Sequence, residues 1–379
     1  MTQLKILLPS EIQRKVCIVV GTRPGIIKMS PVIRELHRRD LPFFVLHTGQ
    51  HYSYEMDRKF FEDLGLPEPA YKLESVRNYR THGGQTAKMI EGIERVLLSE
   101  KPKVVLVGGD ANTNLCGALA ARKLHLVVGH IEAGLRSNDW LMPEEHNRII
   151  IDHISDLLFP PTEKARHNLI EDNVKGRIIV TGNTVVDALQ QNREIARRRS
   201  RILEDLGLTP QNYFLVTIHR EENVDFRERI INILEALALV SHKYRVPIVF
   251  PTHPRTTKRL RAFGLLKQAE DIPNLRLMEP VGYLDFLSLL ENACLVLTDS
   301  GGIQEESCIL KVPCVTLREN TERPESVLVG ANMVAGVGPD GILRAVRVML
   351  EKPTDWENPF GDGRAAVRII DVVEEVLNQ

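Results

Sequence analysis

The chain has 379 residues, 43% of them hydrophobic and 26% charged, with a formal net charge of -1. That is an ordinary globular balance in a length that favours two domains with separate cores over one. The near-neutral charge gives no electrostatic footprint for nucleic acid or a membrane surface and excludes a polyanionic polymer as the expected partner.

From Val16 onward, short apolar runs alternate with helix-period segments, the pattern of βαβ units and parallel sheets. Strands are predicted over residues 16–20, 43–47, 104–107, 126–131, 157–159 and 178–180, each followed by a loop and a helix. A helical, basic stretch over 194–201 follows, and its charge reads as a solvated helix face. The pattern then restarts with strands over 213–218, 247–251, 275–278, 295–298 and 314–317. The restart predicts an N-terminal Rossmann-like domain over 1–190 and a second over 191–362. Val367, Ile369, Ile370, Val373 and Val376 then fall at helical spacing in a closing amphipathic helix within 363–379, able to pack on either domain.

The five cysteines, Cys17, Cys116, Cys294, Cys308 and Cys314, are widely spaced and mostly sit in apolar runs, so they read as small buried hydrophobes. The apolar run at Ile6, Leu7 and Leu8 is too short for a signal peptide, and nothing downstream approaches membrane-spanning length. A cytoplasmic protein with reduced thiols is expected.

Polar clusters fall at the carboxyl ends of the predicted strands, where open α/β sheets gather ligands. The first is Gly21-Thr22-Arg23-Pro24-Gly25, leading to Lys28. It lacks the GxGxxG dinucleotide fingerprint and the Walker spacing, so it is either a plain strand-to-helix turn or a phosphate-facing one to which Arg23 and Lys28 add charge. The second, Thr298-Asp299-Ser300-Gly301-Gly302, opens a helix containing Glu306, and two glycines with free N–H groups at a helix start suit a phosphate. No GxSxG elbow surrounds Ser300, which argues against a nucleophile there.

A third group supplies acids: Asp110 after Gly108-Gly109, Glu132 in His130-Ile131-Glu132-Ala133-Gly134, and Glu144 with Glu145 after Pro143. Any one of them reads as a cap or an ion-pair partner. Three near successive strand ends suit a converging set whose separated pKa values serve general acid and base chemistry. The fourth, His219-Arg220-Glu221-Glu222-Asn223, is followed at the next strand by Thr252-His253-Pro254. A lone histidine is usually structural and the spacing is not that of a zinc site, so no metal is expected. At a strand end, however, His219 is placed to serve a leaving phosphate.

Taken in order, GTRPGIIKMSP, TGQH, GGDANT, GHIEAGLRS, MPEEHNR, PTEKA, TGNTVVDA, THREEN, TDSGGIQEE and TERPE resemble the non-hydrolysing UDP-N-acetylglucosamine 2-epimerases, from about Val16 to Ala331. The resemblance implies the fold shared with GT-B glycosyltransferases, two Rossmann-like α/β domains whose parallel sheets face a central cleft that holds UDP. By motif it implies Asp110, Glu132, Glu144 and His219 as catalytic residues. It places Arg23, Arg148, Ser300, Gly301, Gly302 and Glu306 around UDP and Phe286 against uracil. The implied reaction inverts C2 of UDP-N-acetylglucosamine to give UDP-N-acetylmannosamine by loss and return of UDP through 2-acetamidoglucal, with no external redox cofactor. The expected partners are a UDP-sugar and a second copy of the chain, with neither nucleic acid nor membrane.

The sequence departs from the family pattern at Gly25, where an acid is usual, at Ala111, where Thr is common, and at Ser53, where a longer polar residue follows the Gln50-His51 pair. The changes at Gly25 and Ala111 put the rate and the exact sugar in play, and the one at Ser53 bears on the family's activation by substrate at a second site near Gln50-His51. The competing readings are an epimerase of a modified UDP-hexosamine, a GT-B glycosyltransferase, which would need an acceptor, and a UDP-sugar sensor that binds without turnover.

Overall fold

Among the described residues, seven parallel strands run through the first part of the chain and six through the second. The structure is a computed structural model and describes residues 7–50, 54–73, 79 and 81–379. His51 and Ser53 of the QH region lie outside the described residues. The chain divides into one unit of residues 1–191 with 361–379 and another of residues 192–360.

The first unit holds β1 (Gln13–Val20), β2 (Phe43–His47), β3 (Tyr71–Lys72), β4 (Pro102–Gly108), β5 (Val127–Ile131), β6 (Leu157–Phe159) and β7 (Arg177–Ile178), ordered β3-β2-β1-β4-β5-β6-β7. The register sets Val20 beside His47, Ile18 beside Leu106 and Gly108 beside Ile131. Helices cover both faces of an all-parallel sheet, which is why its central strands read as unbroken apolar runs. Val16 to Val20 are all buried, with Cys17 and Val19 joining Leu46, Val105, Val107 and Val128 in one cluster.

The second unit holds β8 (Phe214–Thr217), β9 (Ile248–Pro251), β10 (Leu275–Met278), β11 (Leu295–Thr298), β12 (Cys314–Thr316) and β13 (Asn332–Val334), ordered β10-β9-β8-β11-β12-β13. Alternate residues feed its two cores. Phe214, Val216, Ile248, Phe250, Leu295 and Leu297 face one side, and Leu215, Val249, Val296 and Cys314 the other. Fully burying each large aliphatic contributes about 1.5–3 kcal/mol.

Both sheets begin as a doubly wound Rossmann sheet does, with the strand order reversing between the first and fourth strands. The reversal lies between β1 and β4 in the first unit and between β8 and β11 in the second. The closing helix, Ala365–Asn378, packs on the helix Arg23–Arg38 of the first unit. Its N-terminus is held by the buried Asp187, whose carboxylate accepts from Ala365 N at 3.2 Å and Ala366 N at 3.0 Å. None of the five cysteines is in a disulfide, and four of them are buried. Burial pushes the Cys116, Cys308 and Cys314 thiols up to about 12, so they stay protonated and unreactive. Among the described residues no helix is long and apolar enough to cross a membrane.

Candidate active site

In the first unit the chain turns sharply after β1. Gly21 is required there because a Cβ would lie 2.1 Å from Thr48 Oγ1 and 2.3 Å from Thr113 Oγ1. Thr22 then caps the helix Arg23–Arg38, accepting from Gly25 N at 3.2 Å, with Pro24 in the first turn. The next two turns of the helix carry Lys28 on the same end as the loops after β4 and β5. Arg23, at the helix start, lies over the Phe60 ring at 5.6 Å.

The loop after β4 presents Asp110. Asn114 staples the turn by donating to Gly108 O at 2.6 Å, and Gly109, at a φ of 86°, bends the chain so that its N–H reaches Ile131 O at 3.0 Å. Asp110 pairs with Arg148 on the helix Pro143–Ile154, and Asn147 of that helix donates to Asp110 O at 2.9 Å. Burial raises the Asp110 carboxyl, but Arg148 and Lys28 outweigh it and hold the group below the usual carboxylate range.

The loop after β5 presents Glu132 in a left-handed conformation, at a φ of 71°. That costs a residue with a Cβ roughly 1–2 kcal/mol, the kind of strain retained where a side chain must be aimed. Glu132 is buried and its Oε2 pairs with Lys28, while its Oε1 has no hydrogen-bond partner among the described residues. Lys28 therefore serves two carboxylates at once, Glu132 by direct contact and Asp110 through space. Glu144 sits exposed on the first turn of its helix, whereas the adjacent Glu145 is buried and accepts from Ser137 N at 2.9 Å, Ser137 Oγ at 2.8 Å and Arg148 at 2.9 Å. The structure thus brings Lys28, Asp110, Glu132 and Arg148 together and leaves Glu144 at the rim of that group.

The second unit builds its own cluster at its switch point. Asp299, fully buried after β11, accepts from His219 N at 3.1 Å, Arg220 N at 3.0 Å and Asn223 Nδ2 at 3.0 Å. Its carboxylate also lies 3.4 Å from His219 Nδ1, which leaves Nε2 as the outward nitrogen of a side chain 37% exposed. Burial, then Arg220 and the nearby His253 ring, hold His219 below its ordinary value against the pull of Asp299. The two rings lie 5.7 Å apart.

Ser300 precedes the helix Gly301–Ile309, and its side chain makes no capping bond, so the first N–H groups of the helix are not closed off by it. A Cβ on Gly301 would meet Glu322 Oε2 at 3.4 Å, which places the glycine turn beside the pair Arg318–Glu322 at 2.8 Å. Burial raises the Glu322 carboxyl, yet Arg318 and Arg220 bring it down to about 2. Glu306 is part-exposed as a residue, but burial, and secondly the Glu305 charge, push its carboxyl up to about 8. Phe286 is part-buried against the core face that holds Leu289 and Val296.

A family model described as UDP-N-acetylglucosamine 2-epimerase matches residues 34–374. The chain belongs to this family. It is 50% identical over 362 residues to the UDP-N-acetylglucosamine 2-epimerase of Methanocaldococcus jannaschii, covering 95% of this chain and 98% of that one. It is 40% identical over 365 residues to the UDP-2,3-diacetamido-2,3-dideoxy-D-glucuronate 2-epimerase of Pseudomonas aeruginosa, with coverage of 96% and 100%. The crystal structure of the Methanocaldococcus jannaschii UDP-GlcNAc 2-epimerase in complex with UDP-GlcNAc and UDP matches with a TM-score of 0.86 at 50% identity, covering 95% of this chain and 99% of that one. The two parallel-sheet α/β units are those of the GT-B-like fold these epimerases share.

In this epimerase-family chain, several residues around the two clusters escaped the sequence reading. Asp299 stood inside the TDSGG motif, but nothing in the motif says that its carboxylate turns back onto His219. Arg220 on the loop after β8, and Arg318 and Glu322 on the loop after β12, lie beside the glycine turn, and Glu145 rather than Glu144 takes the buried position. Asp299, Arg220, Glu322 and Glu145 stand within motifs and Arg318 outside them, but a motif does not say which of its side chains turns inward.

Proposed function

We propose that this chain interconverts UDP-N-acetylglucosamine and UDP-N-acetylmannosamine. The observation that carries the reading is the pair of acids at the first unit's switch point, Asp110 and Glu132, each held by a cation, with one oxygen of the strained Glu132 buried and unsatisfied. Family membership and the likeness to epimerases acting on UDP-sugars support it.

In the chemistry this implies, one carboxylate removes the C2 proton. The electron pair forms the C1–C2 double bond of 2-acetamidoglucal as the C1–O bond breaks and UDP departs. A proton is then delivered to the other face of C2, and a UDP oxygen returns to C1. Asp110 and Glu132 serve the proton transfers, with Arg148 and Lys28 holding the Asp110 carboxyl low, and Glu144 is the third carboxylate available to them. The helix start at Ser300, Gly301 and Gly302 takes the diphosphate, His219 donates to the departing phosphate oxygen, and Arg23 is a further cation suited to a phosphate. Glu306 suits the ribose diol, whose two hydroxyl donors match a carboxyl group's acceptors, and Phe286 offers a ring face to the uracil. Cytoplasmic residence goes with the free, protonated thiols, and assembly as a homodimer goes with family membership.

A second reading, epimerisation of a UDP-hexosamine with modified substituents, is favoured by the 40% identity to the diacetamido-glucuronate epimerase. Incubating the pure protein with UDP-N-acetylglucosamine alone, followed by proton NMR, separates the two. A growing second anomeric signal from the manno epimer is expected. An unchanged spectrum, with turnover of a diacetamido substrate, would leave the second reading standing.

A further inference from the structure

Beneath Asp110 and Glu132 lies a buried polar pair to which the proposed chemistry gives no role. His130 projects from β5 and Asp152 from the helix Pro143–Ile154, with side chains 1% and 0% exposed. His130 Nδ1 is 2.7 Å from Asp152 Oδ1, and its Nε2 is 3.2 Å from the carbonyl oxygen of Gly109. A carbonyl oxygen only accepts, so the bond to Gly109 requires a hydrogen on Nε2, just as the bond to the Asp152 carboxylate requires one on Nδ1. The second Asp152 oxygen accepts from Gly134 N at 3.2 Å and pairs with Arg136 at 2.7 Å, and Arg136 is held in turn by Asp172 at 2.6 Å.

One carboxylate therefore grips residues 130 and 134, on both sides of Glu132. One imidazole grips Gly109, the residue before Asp110. Gly134 has no room to drift, since a Cβ there would lie 2.2 Å from Ala165 O. Polar groups this deeply buried are costly unless fully bonded, and an apolar pair of the same volume would pack the site as well. What an apolar pair cannot do is tie two separate loops to one another.

We propose that His130, anchored by Asp152, is a positioning residue that sets the spacing of Asp110 and Glu132 for proton exchange at C2. The inference rests on the reading of those two acids as the C2 acid and base. A misplacement of about 1 Å in such a pair costs on the order of 10²-fold in rate. Nucleotide binding, assigned to the second unit's cluster and to Arg23, is left alone.

The test compares wild type, His130→Asn and His130→Gln in heavy water with UDP-N-acetylglucosamine, reading turnover and deuterium entry at C2 by NMR and UDP affinity by calorimetry. An asparagine amide nitrogen falls near the place of Nδ1 and keeps only the Asp152 bond, whereas a glutamine amide falls near Nε2 and keeps the donor to Gly109. His130→Asn is expected to lose kcat and deuterium entry together, on the order of 10²-fold, with KM and UDP affinity held. His130→Gln should recover most of that loss. Equal losses in both variants, a loss carried by KM, or normal exchange in His130→Asn would overturn the inference alone. No deuterium entry in the wild type would overturn the acid–base reading and this inference with it. Should His130→Asn fail to fold, nitrogen NMR of wild-type protein labelled at histidine decides: a protonated Nε2 at His130 supports the positioning bond and an unprotonated one removes it.

Discussion

His219 illustrates how one residue's surroundings divide its work. Burial, Arg220 and His253 hold the ring below its ordinary value, so at neutral pH the free protein carries it largely uncharged. A bound diphosphate adds negative charge beside the ring and raises it, so binding must take up a proton. Affinity is therefore highest below the free-state value and declines as pH rises from there through the bound-state value. Calorimetric titration of UDP in buffers of different ionisation enthalpy should show this uptake in wild type and none in His219→Gln. That variant should keep most UDP affinity but lose about 10²- to 10⁴-fold in turnover, the range of a general acid. Identical proton uptake in both proteins would remove His219 from the phosphate. Asp110 shows the opposite balance, with Arg148 and Lys28 overcoming burial to keep a base ionised. That contrast was visible in the sequence only as residue types, because the cations come from two helices 120 residues apart in numbering, at Lys28 and Arg148.

Among the elements, the helix Gly301–Ile309 carries conflicting demands, since its glycine start suits a phosphate while Glu306 is enclosed beside Glu305. A carboxyl raised from 4.5 to about 8 binds a proton in the folded chain that the unfolded chain has released. Its contribution to stability is therefore complete below about pH 4.5 and is lost as pH climbs through about 8. Glu306→Gln, which cannot ionise, should leave the melting temperature little changed at about pH 5 and raise it relative to wild type at about pH 9. Calorimetric scans at the two values check this, and a difference of equal size at both would contradict it.

Elements buried on both faces were the readable ones. The runs at Val16–Val20 and Leu295–Thr298 are apolar because helices cover both sides, and the closing helix shows its apolar stripe openly. Tyr71–Lys72 and Asn332–Val334, edge strands of two and three residues, lack any such run and were not predicted. The strand predicted over 178–180 is reduced to Arg177–Ile178 for the same reason: at an edge, pairing with a single neighbour sets the limits rather than hydrophobicity. The His130–Asp152 pair was invisible because a buried histidine in an apolar strand looks like any structural histidine until the helix that meets it is placed.

On the scale of the whole molecule, the same strand order begins both sheets, and both put their polar loops at the point where that order reverses. Alternation of apolar runs and helices was enough to predict two parallel-sheet α/β units. The ordered set of motifs was enough to place the chain in its family. The sugar's substituents are not legible at this scale, because they depend on a few side chains around C3 and C6 rather than on the sheet.

The central claim, that Asp110 and Glu132 exchange the C2 proton while UDP leaves and returns, is tested most directly by one measurement. The protein is incubated in heavy water with UDP-N-acetylglucosamine carrying an oxygen label in the bond between sugar and phosphate, and the products are read by NMR. The account predicts deuterium at C2 of the manno epimer, scrambling of the label into the other β-phosphate oxygens, and loss of both in Asp110→Asn or Glu132→Gln. An epimer that keeps its original hydrogen at C2, with the label in place, would contradict it.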